Sequence, residues 1–200
     1  MIRRVVASLL FICIPITLIS QEAMTTEKSQ LPYYEIPTAP DSYTASTVAA
    51  RMIDGLGFRY YWVTDGLRAE DLTYKPSEDA RSSEETNDHI YGLSRMILNA
   101  IKKLPNVRVE EEGITFEEKR KRTLEILNEA SQILRENPNL SDLDIIFEGA
   151  SRSSSFPFWN LINGPIADAL WHCGQVVSFR RASGNLFNSN ISVFNGTVKE

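Results

Sequence analysis

Cysteine and histidine are scarce, with two of each in 200 residues. Two cysteines cannot build a disulfide framework, and only Cys173 remains once the first twenty residues are removed. Stability must then come from a packed core, for which the remaining chain is long enough. Cationic charge is lacking too. The formal net charge is −5, and the clustered lysines and arginines of a nucleic-acid surface are absent. The densest basic run, "KRKR" at Lys119–Arg122, stands among glutamates and reads as a solvated helix face. No internal repeat or low-complexity tract is present.

A long apolar run is also missing. The stretch Val5–Ile19 falls short of the ~20 residues that a membrane-spanning helix needs. Preceded by Arg3 and Arg4, it has the charged and apolar regions of a secretory signal. Residues 1–20 are therefore expected to be a cleaved signal, and the protein to be exported, periplasmic or extracellular, with no membrane association afterwards. Removing them takes two arginines and no acid, which leaves a net charge of −7. Residues 21–40 are polar and proline-dotted and read as an extended leader. Residues 41–200 form the expected domain.

Four segments of that domain carry helical periodicity. The first spans about Ser42 to Gly66, with Ala45, Val48, Met52, Leu56, Tyr60 and Val63 on one stripe. The second opens at Ser82 or Ser83 and aligns His89, Leu93, Met96, Ala100 and Leu104. In the third, Thr115 and Glu118 fit a capping box, and Leu124, Leu127, Ala130 and Leu134 face inward. The fourth covers Phe158 to Ser183, is interrupted near Pro165 and stops at Gly184. Its apolar stripe is Trp159, Ile162, Ile166, Ala169 and Cys173. The fold class is all-α: a four-helix bundle with long connections, and short irregular or β-like segments between helices three and four and at the C-terminus.

The chemistry gathers at "DALWHCGQV", Asp168–Val176. Residues four apart lie one above the other on a helix, so Asp168 and His172 share a face. Gln175 is near it, placed to hold a ligand imidazole by a hydrogen bond. His89 falls in the apolar stripe of the second helix, so a bundle brings it to this pair in the core. Two imidazoles and a carboxylate suit a divalent metal. An Asp–His ion pair with a hydrogen-bonded core histidine fits the same spacing. Gly174 suggests a close helix approach, and Cys173 reads as core filler. Arg180 and Arg181 suit either the helix dipole or an anionic substrate.

The phrase "HCGQVVSFRRASG" resembles the closing signature of the DinB-like (DinB/YfiT) four-helix proteins. "SSEETNDHIYGL" and the link "GLRAEDLTYKPSEDARS" resemble that family's second helix and its approach, so the likeness runs from about Ser42 to Gly184. It implies a metal held by His89, Asp168 and His172, with aspartate where many members carry histidine. Zn²⁺, Ni²⁺, Mn²⁺ or Fe²⁺ would suit these donors. It also implies pairing into a homodimer and an enzyme of hydrolase or transferase type acting on a small-molecule substrate. An oxidising compartment disfavours a thiol cosubstrate and favours hydrolysis. No spare histidine is left as a general base, which leaves Asp144 and Glu148. A non-catalytic metal- or ligand-binding module and a metal-free structural bundle are the competing expectations.

Overall fold

The computed structural model describes residues 31–107, 111–137, 139–149 and 152–199. The expected signal and the first half of the leader lie outside them. The described chain is mostly helical. Its elements are α1 (Ala45–Thr64), α2 (Ala69–Thr73), α3 (Ser83–Ile101), β1 (Pro105–Asn106), α4 (Phe116–Glu136), β2 (Ile145–Glu148) and β3 (Ser153–Phe156). They continue as α5 (Phe158–Leu161), a π-helical turn (Ile162–Ile166), α6 (Ala167–Ala182), β4 (Ile191–Ser192) and β5 (Thr197–Val198). Among these residues no helix is long and apolar enough to cross a membrane.

The helix starts follow from hydroxyl caps that satisfy otherwise unpaired amides. Ser82 and Glu85 form a reciprocal box at α3: the Glu85 amide donates to Ser82 Oγ at 3.1 Å, and the Ser82 amide donates to Glu85 Oε2 at 2.6 Å. Thr115 caps α4 through the Glu118 amide at 3.2 Å. The expected return bond is replaced: the Glu118 carboxylate accepts from Arg122 Nε at 2.9 Å instead.

Each of the four long helices packs on two others: α1 and α3 both lie against α4 and α6. Ile53, Leu56, Ile90, Ile97, Leu124, Leu134, Ile166 and Val176 are fully enclosed between them. Because α1 has two neighbours, its buried face is broader than the expected stripe. Ala49, Ala50, Ile53 and Tyr61 are buried, whereas Val48 at its edge is exposed. Leu104, expected on the α3 stripe, lies beyond the helix end and is exposed. The two β-like regions are small sheets. The β2–β3 hairpin pairs Ile145 with Phe156 and takes β1 as a parallel third strand, and β4 pairs with β5.

The interruption near Pro165 is a single π-helical turn. The Ala167 amide donates to the Ile162 carbonyl, five residues back. Such a turn inserts one residue into the helical count and shifts the face of everything before it. The buried positions upstream are therefore Phe158 and Leu161, not the expected Trp159 and Ile162, and Trp159 is 73% exposed. Downstream, Ile166, Ala169 and Cys173 are buried as expected.

The second half of the expected leader belongs to the folded body, which begins at Leu31. Tyr33 is buried in the main core. Its hydroxyl donates to Asp54 Oδ1 at 3.2 Å, and Arg135 Nη2 donates to Asp54 Oδ2 at 2.5 Å. The Ile36 amide donates to the Gly196 carbonyl at 2.8 Å, which ties this segment to the C-terminal hairpin.

Candidate metal centre

His89 is on the second turn of α3, and Asp168 and His172 are one turn apart at the start of α6. Packing of α3 on α6 brings His89 to the other two, the nearer of which is 79 residues away in the chain. Asp168 stands between the rings, with Oδ2 3.0 Å from His89 Nε2 and Oδ1 3.2 Å from His172 Nε2. The imidazoles meet edge to face, with centroids 4.8 Å apart and planes at 88°. One donor atom from each residue lies within 4.8 Å of the other two.

The depth differs from the expectation of a core site. The side chains of His89, Asp168 and His172 are 33%, 36% and 14% exposed. The group lies at the α3–α6 contact and is partly open to solvent. Both helices remain well packed beneath it, through Leu93 and Ile97 on α3 and Ala169 and Val176 on α6.

Gln175 takes the place expected of it. Its Oε1 lies 2.6 Å from His172 Nδ1. An amide oxygen only accepts, so this contact suits the tautomer that carries its proton on Nδ1. That leaves His172 Nε2, the atom facing Asp168, as the position for either a second proton or a metal. A neutral imidazole nitrogen and a carboxylate oxygen in contact are both acceptors, so the contact calls for a cation between them. A proton on the ring satisfies it, and so does a metal ion. Donors on a four-coordinate zinc stand about 3.3 Å apart, from bond lengths near 2.0–2.1 Å. The two Nε2–carboxylate contacts run to opposite oxygens of Asp168, and with one donor atom from each residue within 4.8 Å of the others the group could close on a metal ion.

No family model, curated protein or solved structure matches this chain. The geometry of the group stands by itself.

The other residues considered from sequence are placed elsewhere. Asp144 accepts from Ser155 Oγ at 2.7 Å on the hairpin, and Glu148 is exposed on β2; neither joins the triad. Cys173 is buried and turned away from the triad, and burial pushes its thiol up to about 12. Gly174 answers to no helix contact, because a Cβ there would meet nothing within 4 Å. The "KRKR" run is more than a solvated face. Lys119 Nζ bonds Asp88 Oδ1 at 2.7 Å, and Arg120 lies over the Tyr61 ring, 4.8 Å from its centroid.

Arg180 is no ligand receptor either. It is buried and donates to the Trp62 and Val63 carbonyls at 3.2 and 3.1 Å, so it caps the end of α1. Asp71 was not singled out in the sequence, yet it anchors the neighbouring corner. It is fully buried, with Arg68, Ser183 and Asn185 donating to its carboxylate. The Arg68 hydrogen bonds, helped by Ser183 and Asn185, hold its carboxyl well below the usual carboxylate range. The phrase "GLRAED" carries that signal only as an Arg–Asp pair at i, i+3.

Proposed function

We propose that this chain is an exported, DinB-like four-helix protein that binds a divalent transition metal through His89, Asp168 and His172 and uses it in a hydrolase-type reaction. The observation that carries the reading is the convergence of three donor groups from two helices: one donor atom each of His89, Asp168 and His172 lies within 4.8 Å of the other two, with Gln175 Oε1 against His172 Nδ1. Two of the three motif phrases behind the family resemblance fall on α3 and α6, the two helices that supply the group, and the third leads into α3. Export is supported by the apolar run after Arg3 and Arg4.

Three protein donors leave positions free for a substrate, as open metal sites do. A divalent ion here supplies Lewis-acid chemistry, polarising a carbonyl or acidifying water. His89 and His172 orient the donor set from two helices, and Gln175 keeps His172 from rotating. Asp168 lowers the net charge of the set, and its partial exposure keeps the approach open. The substrate class that a hydrolase reading implies is a small-molecule ester or amide.

Metal analysis of purified protein tests the reading. The expected result is near-stoichiometric Zn, Ni, Mn or Fe, lost in His89→Ala and in His172→Ala with the helical circular dichroism intact. In a screen of ester and amide substrates with the metal present, His172→Ala should lose turnover. Failure of the wild type to take up any of these metals, with His89→Ala no different, would overturn the reading. The triad would then be a protonated ion-pair link between α3 and α6. Uptake without turnover of any substrate would leave a metal-binding module.

A further inference from the structure

On the flank of α6 away from the triad lies a cavity of about 290 Å³ between α1, α6 and the C-terminal tail. Phe58, Trp62, Leu170, Phe187 and Val193 make its wall apolar. Two guanidinium groups, Arg59 and Arg181, are its only charged lining, and no acidic side chain lines it. Among the described residues neither arginine is ion-paired. Arg59 Nη1 donates to the Gly55 carbonyl of its own helix at 2.9 Å, which leaves its other N–H groups uncommitted. Arg59 is half-buried and Arg181 is exposed at the mouth.

Gly174 lines the same cavity. A helix-interior glycine weakens a helix relative to alanine, and nothing packs against this one. Its effect is to keep the wall open where a longer side chain would fill the space. The apolar wall and the two cations on its lining together suit a ligand with one anionic end and an apolar body. Guanidinium groups match the planar carboxylate. The volume lies at the small end of ligand sites, which run from about 300 to 1,000 Å³. At about 30 Å³ for each water-sized group it holds roughly ten heavy atoms.

We infer that this cavity binds a small apolar carboxylate of about the size of octanoate, at a site separate from the triad. The carboxylate sits between Arg59 and Arg181, and the chain or ring lies against Phe58, Leu170 and Phe187. The inference does not rest on the metal reading, because His172 and Gln175 face the other side of α6.

Octanoate and octanol, equal in chain length and different in charge, are the probes. Each is titrated into the full protein in the presence of a chelator, which removes carboxylate binding at a metal, while amide NMR shifts are followed. Octanoate should move the amides of Gly174, Val177 and Val193 and bind at least about tenfold more tightly than octanol, as charge-assisted bonds require. Arg59→Gln and Arg181→Gln should each weaken octanoate several-fold and leave octanol unchanged. Gly174→Leu should abolish both. Should Gly174→Leu fail to fold, the arginine variants decide alone. Equal binding of the two probes, insensitivity to both arginine variants, or shifts confined to residues outside this cavity would each overturn the inference.

Discussion

The ring of Tyr33 lies directly on Gly57: a Cβ at position 57 would clash with Tyr33 Cε2 and Cδ2. Tyr33 holds a left-handed backbone, φ 74°, to reach this place, and its hydroxyl ends on buried Asp54. The glycine in the middle of α1 is therefore the seat of the incoming chain. Gly57→Ala should destabilise the protein by about 1–3 kcal/mol, the usual cost of overpacking a core, although alanine is the better helix former. Urea denaturation followed by circular dichroism reads this directly. A loss below half of that lower bound would mean that Tyr33 moves aside freely.

The opposite sign is expected at Gly174. An added methyl meets no atom there, so Gly174→Ala should stabilise by roughly 0.5–1 kcal/mol through helix propensity alone. A destabilised variant would show that the glycine serves a close contact in the folded protein.

Asp71 carries a pH signature. Its carboxyl is held below the ordinary range, first by Arg68 and then by Ser183 and Asn185. The stability it contributes is thus fully present above its unfolded value near ~3.9 and fades as pH falls below that. Asp71→Asn should cost about 2–3 kcal/mol at pH 7, since Arg68 loses a buried partner. The gap between wild type and variant should narrow progressively below about pH 4. Thermal melts of both proteins from pH 7 to pH 2.5 measure it, and a constant gap would rule the ion pair out as its source.

Cys173 should be chemically quiet. Burial raises its thiol to about 12, and the thiolate is the reactive form. Iodoacetamide at pH 8.5 should label the peptide that holds Cys173 about a hundredfold more slowly in native than in urea-unfolded protein. Mass spectrometry of that peptide gives the ratio, and comparable rates would place the thiol in an open position.

At the proposed metal site, Gln175→Leu separates orientation from ligation. It should weaken metal binding about tenfold or somewhat more, the usual effect of removing a hydrogen bond to a ligating imidazole. His172→Ala should abolish binding. Competition with a chelator of known affinity distinguishes the two, and identical losses would make Gln175 a direct ligand.

Much of this was legible in the residues. The i, i+4 spacing of Asp168 and His172 put them on one face, and His89 met them because its helix packs beside theirs. Gln175 fell at the distance where it bonds a ring nitrogen. The hydroxyl caps at Ser82 and Thr115 fixed two helix starts. Depth was not legible, because periodicity tells which face turns inward and says little about how far along a seam a residue lies. Tyr33 and Ile36 were missed because their burial depends on partners 21 and 160 residues away, and a proline-dotted stretch carries no period. Gly174 was misjudged since a small residue marks a contact and an open cavity alike. The buried role of Arg180 was hidden in a position where the dipole alone accounts for an arginine.

The π-helical turn at Ile162–Ile166 absorbs one extra residue and leaves the faces on either side of it in place. Removing Pro165 would restore an unbroken α-helix in which Phe158 and Leu161 keep their inward direction, because the α-helical period then brings them onto the face of Ile166. Straightening the turn at full length would instead wind everything upstream by about 100° and swing Trp159, now turned to solvent, toward the place held by Phe158 and Leu161. Homologous chains that differ only by a one-residue gap here would be expected to present the same surfaces above the same triad.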